Sequence, residues 1–152
     1  VANNIRGIEM STPTRVTLRP GERSFINGAV LKADGRTSFD ILNDVPYLVE
    51  HEIMNAQQTV TPLRQLYYVL QTMVMEPAGA EMAREIYNHV MWSLSQAFSN
   101  ATVLAGLDTI RQQVADGSPF AALKTLRPLI PIEDAILGGE RTAELRLVGV
   151  RS

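Results

Sequence analysis

The chain has no cysteine, only two histidines, few aromatics and no long apolar run, and each shortage removes a class of protein. Without cysteine there is no disulfide framework, no thiolate zinc site and no cysteine nucleophile. His51 and His89 lie in different segments, which excludes a compact histidine metal site, and no metal or cofactor is expected. The apolar run at Met73–Met75, like every other in the chain, is far shorter than the roughly 18–20 residues a membrane span needs. The first ten residues lack the basic start, apolar core and small-residue cleavage site of a secretory signal, so a cytoplasmic address is expected. This segment is polar, opens on Val1 and carries Met10; a natural start at or near Met10 is expected, with residues 1–13 as a disordered leader. Neither sign of charge dominates. Fourteen Lys and Arg against sixteen Asp and Glu give a net charge of −2, which argues against a large basic nucleic-acid binder and leaves room for a small basic patch.

What is present is a hydrophobic share of 45% over 152 residues. That suits one soluble domain, or two small ones, able to fold without metal or disulfide. The pattern changes near residue 60. From 14 to 60 the chain reads as short strands and turns: 15–19 alternates polar with apolar, Pro20-Gly21 turns, and 24–27, 29–31, 37–42 and 45–49 are further extended stretches. Asp34-Gly35 carries the signature of a tight hairpin turn, and Pro46 points to an edge or a strand start. From 61 to 138 the period is helical. Thr61-Pro62 caps a helix whose apolar face is Leu63, Leu66, Tyr67, Leu70, Met73 and Val74. A second helix over 80–98 is expected to bury Met82, Ile86, Val90, Leu94 and Ala97, and Asn100 caps a third with Val103, Leu104, Leu107, Ile110 and Val114. Ser118-Pro119 opens a fourth, which Pro128 and Pro131 should kink or split into two short pieces. Residues 139–152, after Gly138-Gly139, are expected to be a flexible tail. The fold class is therefore α+β: a small antiparallel sheet or half-barrel packed on a C-terminal bundle of three to four helices.

The charges of the strand region are unevenly placed. Residues 13–38 hold Arg15, Arg19, Arg23, Lys32 and Arg36 against Glu22 and Asp34, whereas 37–60 hold Asp40, Asp44, Glu50 and Glu52 with no Lys or Arg. Alternation along the first strand puts Arg15, Thr17 and Arg19 on one face and Val16 and Leu18 on the other. Guanidinium groups with a hydroxyl can meet phosphates and stack on unpaired bases, so Arg15, Arg19, Arg23 and Arg36 are candidate phosphate contacts, with Thr17 reading a base or backbone group. The competing reading is an edge strand charged to prevent aggregation. Phe25 and Phe39 suit the core, His51 suits the surface, and His89 suits a packed or partly exposed helix position. In the helical half, Tyr67, Met73, Met91 and Trp92 are candidates for an adaptable partner-binding face, against the simpler reading of a bundle core with gap-filling methionines. Catalysis is not expected. Glu81/Glu85 is a helix pair and Glu133/Asp134 an adjacent pair, and neither comes with an acid–base partner; no glycine pattern makes a phosphate loop.

These residues, taken in order, resemble the FlbT family of bacterial flagellar regulators. The likeness runs through Leu18–Arg23, Phe25–Val30, the turn Asp34–Arg36, Glu52–Met54, Thr61–Arg64 with Tyr67, Phe120–Leu123, Leu129-Ile130 and Glu133, covering about residues 14–138. The resemblance implies post-transcriptional control: association with the 5′ untranslated region of flagellin mRNA, promotion of its degradation, and repression of flagellin synthesis during flagellum biogenesis. The partner it implies is that mRNA leader; the methionine-rich helical face, if it is a partner site, would take flagellin or another flagellar regulator, and a homodimer would double the small RNA site. The alternative is a protein–protein adaptor or chaperone-like factor acting through the helical face without RNA. The strand region alone is also similar in layout to the carbon storage regulator, a small dimeric RNA-binding β-protein, although Glu50 stands where that protein carries an RNA-contacting arginine.

Overall fold

The computed structural model describes residues 12–149, with side chains as far as Gly139. Residues 1–11, most of the expected leader, lie outside the described residues. The chain forms two compact units that divide between Ile53 and Met54. The class is α+β, with antiparallel strands in the first unit and helices in the second.

The strand unit holds β1 (Thr14–Leu18), β2 (Arg23–Ile26), β3 (Ala29–Lys32), β4 (Thr37–Ile41) and β5 (Tyr47–Val49). They make two small sheets rather than one: β1 pairs with β4, and β2 lies between β3 and β5, all antiparallel. The pleat sends Val16 and Leu18 inward with Ala33, and Phe39, Ile41 and Val49 pack against them. The tight hairpin is at Asn27-Gly28, with φ of 46° and 96° at its two loop residues, between the paired ends Ile26 and Ala29. The expected hairpin at Asp34-Gly35 is not formed. That turn carries the chain from β3 in one sheet to β4 in the other, and Gly35 does not adopt positive φ. Pro20-Gly21 turns as expected: the Glu22 N–H donates to the Arg19 carbonyl at 3.0 Å, with Gly21 at φ 83°, the geometry of a type II turn.

The helical unit runs α1 (Pro62–Met75), α2 (Ala80–Ala97), α3 (Ala101–Ala115), α4 (Pro119–Leu126) and α5 (Ile130–Gly149). Thr61 and Asn100 cap α1 and α3 by accepting the Arg64 and Val103 N–H groups at 3.3 and 3.1 Å. Packing of α1 on α2 and α4, and of α3 on α4, buries Leu63, Leu66, Leu70, Leu94, Leu107, Ile110, Leu123 and Leu126. Each such leucine contributes about 1.5–3 kcal/mol relative to an exposed one. The α2 face differs from expectation. Ala83, Tyr87, Met91 and Leu94 are buried, while Met82 and Ile86 are exposed. The two stripes lie side by side on the helix, and the buried one is led by small Ala83, which a reading weighted by side-chain size passes over. Burial pushes the Tyr87 phenol up, against the opposing pull of Arg111 and Arg84.

Prolines 128 and 131 do split the fourth helical segment, through a 3₁₀ turn at Arg127–Leu129. The second piece is long, not short. Pro131 falls in the first turn of α5, where no intrahelical N–H is needed, and the paired glycines lower helix propensity without ending the helix. The backbone stays helical through 139–149, where the sequence reading placed the start of a tail.

Candidate nucleic-acid interface

The β1–β4 ribbon presents Arg15 and Thr17 to solvent, as the alternation demands, while Val16 and Leu18 are buried. Register then decides what those groups meet. Arg15 stands opposite Asp40 and Thr17 opposite Ser38. Arg15 binds Asp40 through Nε at 2.6 Å and Nη2 at 3.4 Å, and Thr17 and Ser38 hydroxyls are 3.1 Å apart. The hydrogen bond to Asp40, with its charge, raises the Arg15 pKa above the ordinary guanidinium value. Arg23, on β2, lies opposite the end of β5: its N–H donates to Glu50 Oε2 at 3.1 Å, and its Nη2 is 3.6 Å from Oε1. Charge that is segregated along the chain is thus partly neutralised in space, because β4 and β5 bring acids back to the arginines of β1 and β2.

Three of the five predicted contacts do converge. Thr17, Arg19 and Arg36 line one open hollow of about 770 Å³, inside the roughly 300–1,000 Å³ range of small-ligand sites. The end of β1 supplies Thr17 and Leu18, the type II turn supplies Arg19, Pro20 and Glu22, the approach to β4 supplies Arg36, and the 3₁₀ turn Glu50–Glu52 supplies His51. The turn is held by the Gly21 N–H donating to the Ala33 carbonyl and the Ala33 N–H to the Glu22 carbonyl, both at 2.8 Å. Arg19 is 89% exposed and only 3.8 Å from Glu22 at closest, a loose pair; among the described residues Arg36 has no ion-pair partner. The hollow therefore has two exposed cations at its rim, an apolar wall at Pro20, a hydroxyl, an imidazole and one carboxylate. Sequence reasoning left His51 as a plain surface residue and gave Glu22 no role; only its closeness to Arg19 in the turn was visible beforehand.

The predicted partner-binding face is largely interior. Tyr67, Met73 and Met91 are buried in the helical unit, where Tyr67 accepts a hydrogen bond from Arg127 Nε at 3.2 Å. Trp92 alone of the four is exposed, at 66%, on the same helix as exposed Met82 and Ile86. His89 is exposed.

The Glu133/Asp134 pair, which the sequence left without an acid–base partner, has structural ones. Glu133 is wholly buried and its Oε2 accepts the Leu63 N–H at 2.9 Å, serving the open start of α1. Beside it Arg64 grips Asp134 with two hydrogen bonds, of 2.6 and 2.9 Å, and lies 3.9 Å from Glu133. The first turns of α1 and α5 are clamped together. Two stretches that carried the family resemblance, Thr61–Arg64 and Glu133, meet here, seventy positions apart.

No set of these residues makes a catalytic constellation, and among the described residues no three His, Asp or Glu side chains gather to hold a metal. The strand unit thus carries an exposed, cation-rimmed hollow and the helical unit a clamped pair of helix starts. The family model for the flagellar protein FlbT matches residues 14–137, and the chain belongs to that family, one of regulators rather than enzymes. It is 38% identical over 135 residues to the probable flagellum biosynthesis repressor protein FlbT of Chelativorans sp. (strain BNC1), covering 89% of this chain and 93% of that one. It is 41% identical over 126 residues to the protein of the same name from Brucella anthropi, covering 83% of each. No solved structure matches the chain. Among the described residues no helix is long and apolar enough to cross a membrane.

Proposed function

We propose that this protein represses flagellin production after transcription, in the cytoplasm, by associating with the 5′ untranslated region of flagellin mRNA and promoting its degradation. The relatives' names support the flagellar and repressive part of this reading. The observation that carries direct RNA contact is the hollow, which gathers Thr17, Arg19 and Arg36 on a solvent-facing rim. Arg19 and Arg36 supply phosphate contacts, while Arg15 and Arg23, engaged by Asp40 and Glu50, contribute less. So small a cationic patch gives weak, salt-sensitive binding to a single strand or loop, reinforced by a second copy or a partner.

The test is titration of a flagellin leader RNA with folded protein across a salt series. Arg19→Glu with Arg36→Glu should weaken binding at least tenfold and flatten the log–log salt slope by about 1.4, from two single-strand phosphate contacts at roughly 0.7 each. Unchanged affinity and slope would remove the hollow from RNA contact. Exposure of Met82, Ile86 and Trp92 favours a second reading, an adaptor that holds a flagellar partner through α2. Retention of partners after RNase treatment supports that alternative.

A further inference from the structure

The hollow contains a group that a plain phosphate site would not. Glu22 is partly buried, at 31% side-chain exposure, and its carboxylate makes no hydrogen bond among the described residues. Arg19 at 3.8 Å is too far to take up a lone pair. An ionised carboxylate offers about four acceptor positions and no donor. A site meant only for polyanion would be weakened by it, because phosphate oxygens and Glu22 repel. It suits a ligand that brings negative charge to one side and N–H donors to the other.

We propose that the hollow holds one unpaired nucleotide and selects a base bearing an exocyclic amino group over uracil. Arg36 and Arg19 take the flanking phosphates at the rim, Pro20 and the His51 ring face the base, and Glu22 accepts from its amino group. Cytosine presents N4–H₂ to that carboxylate, whereas uracil presents the O4 carbonyl at the same position and is repelled. The base-reading role rests on the RNA contact proposed above and goes beyond it, since phosphate contacts alone carry no sequence information.

Oligo(C) and oligo(U) of roughly eight nucleotides are the probes; they match in charge and in ring size, and the Glu22→Gln comparison separates the carboxylate's share of any preference from their different stacking. Their affinities for the full chain, by fluorescence anisotropy, should differ about fivefold or more in favour of oligo(C). Glu22→Gln, which offers an amide able to donate or accept, should reduce that ratio to near one while keeping the urea midpoint. Equal binding of the two probes, with sensitivity to Arg19→Glu and Arg36→Glu, would overturn base selection and leave the RNA reading standing. A C-over-U preference that survives Glu22→Gln would overturn the role of Glu22. Binding of neither probe nor of the leader RNA would overturn both.

Discussion

Both units pair arginine with carboxylate, and they do so to different ends. In the strand unit Arg15 and Arg23 meet Asp40 and Glu50 across neighbouring strands at the surface, where water and salt screen the attraction. In the helical unit Arg64 meets Asp134 next to Glu133, which is wholly buried and hydrogen-bonded to the start of a helix. The first arrangement leaves cations available for exchange with another anion. The second removes a carboxylate from water and requires that its partners stay in place, since an uncompensated buried polar group costs far more than a surface pair returns.

The largest expected effect tests the buried half of this contrast. Glu133→Ala strands the Leu63 N–H and deprives Arg64 of one of its two acids, and should lower the free energy of unfolding by about 3 kcal/mol in urea titration. Glu133→Gln, whose amide oxygen can still accept from Leu63, should lose less. An unchanged midpoint for both would show that the clamp does not hold the helices.

A smaller effect comes with acid. The hydrogen bonds from Arg64, helped by its charge and opposed by desolvation, hold the Asp134 carboxyl below the usual carboxylate range. A depressed folded-state pKa gives stability that is present above the unfolded-state value and lost as pH falls through the folded one. The stabilisation of the native chain over Asp134→Asn should therefore be present near pH 6 and shrink as the pH falls through and below the ordinary carboxylate range. Because Asp134 is half exposed, the difference stays below about 1 kcal/mol. The smallest effect is Arg15→Gln, which breaks a solvent-exposed pair and should leave the urea midpoint unchanged. A clear loss there would erase the distinction between the two units.

Much of the architecture was legible in local pattern. Alternation at Arg15–Leu18 placed two inward and two outward residues correctly, Thr61 and Asn100 announced the helices they cap, and Pro20-Gly21 announced its turn. Errors arose where two local signals competed. Asn27-Gly28 and Asp34-Gly35 are both turn pairs, and only strand pairing decides which one closes a hairpin. Met82 and Ala83 begin adjacent stripes on α2, and only the neighbouring helices decide which is buried. Tyr67, Met73 and Met91 went from candidate surface to core for the same reason.

The candidate site shows the same limit. Its arginines were visible as residue types, but whether an arginine is free depends on what stands across the sheet, and Asp40 and Glu50 are 25 and 27 positions away from the residues they engage. Period, capping and turn chemistry act over a few residues, so they are carried by the chain itself: the order of strands and helices, their termini and one polar ribbon face. Which charges neutralise one another, which turn lip folds beside Arg36 and His51, and which acid closes the start of α1 depend on contacts between distant segments. Those contacts exist only once pairing and packing have chosen among locally equivalent alternatives.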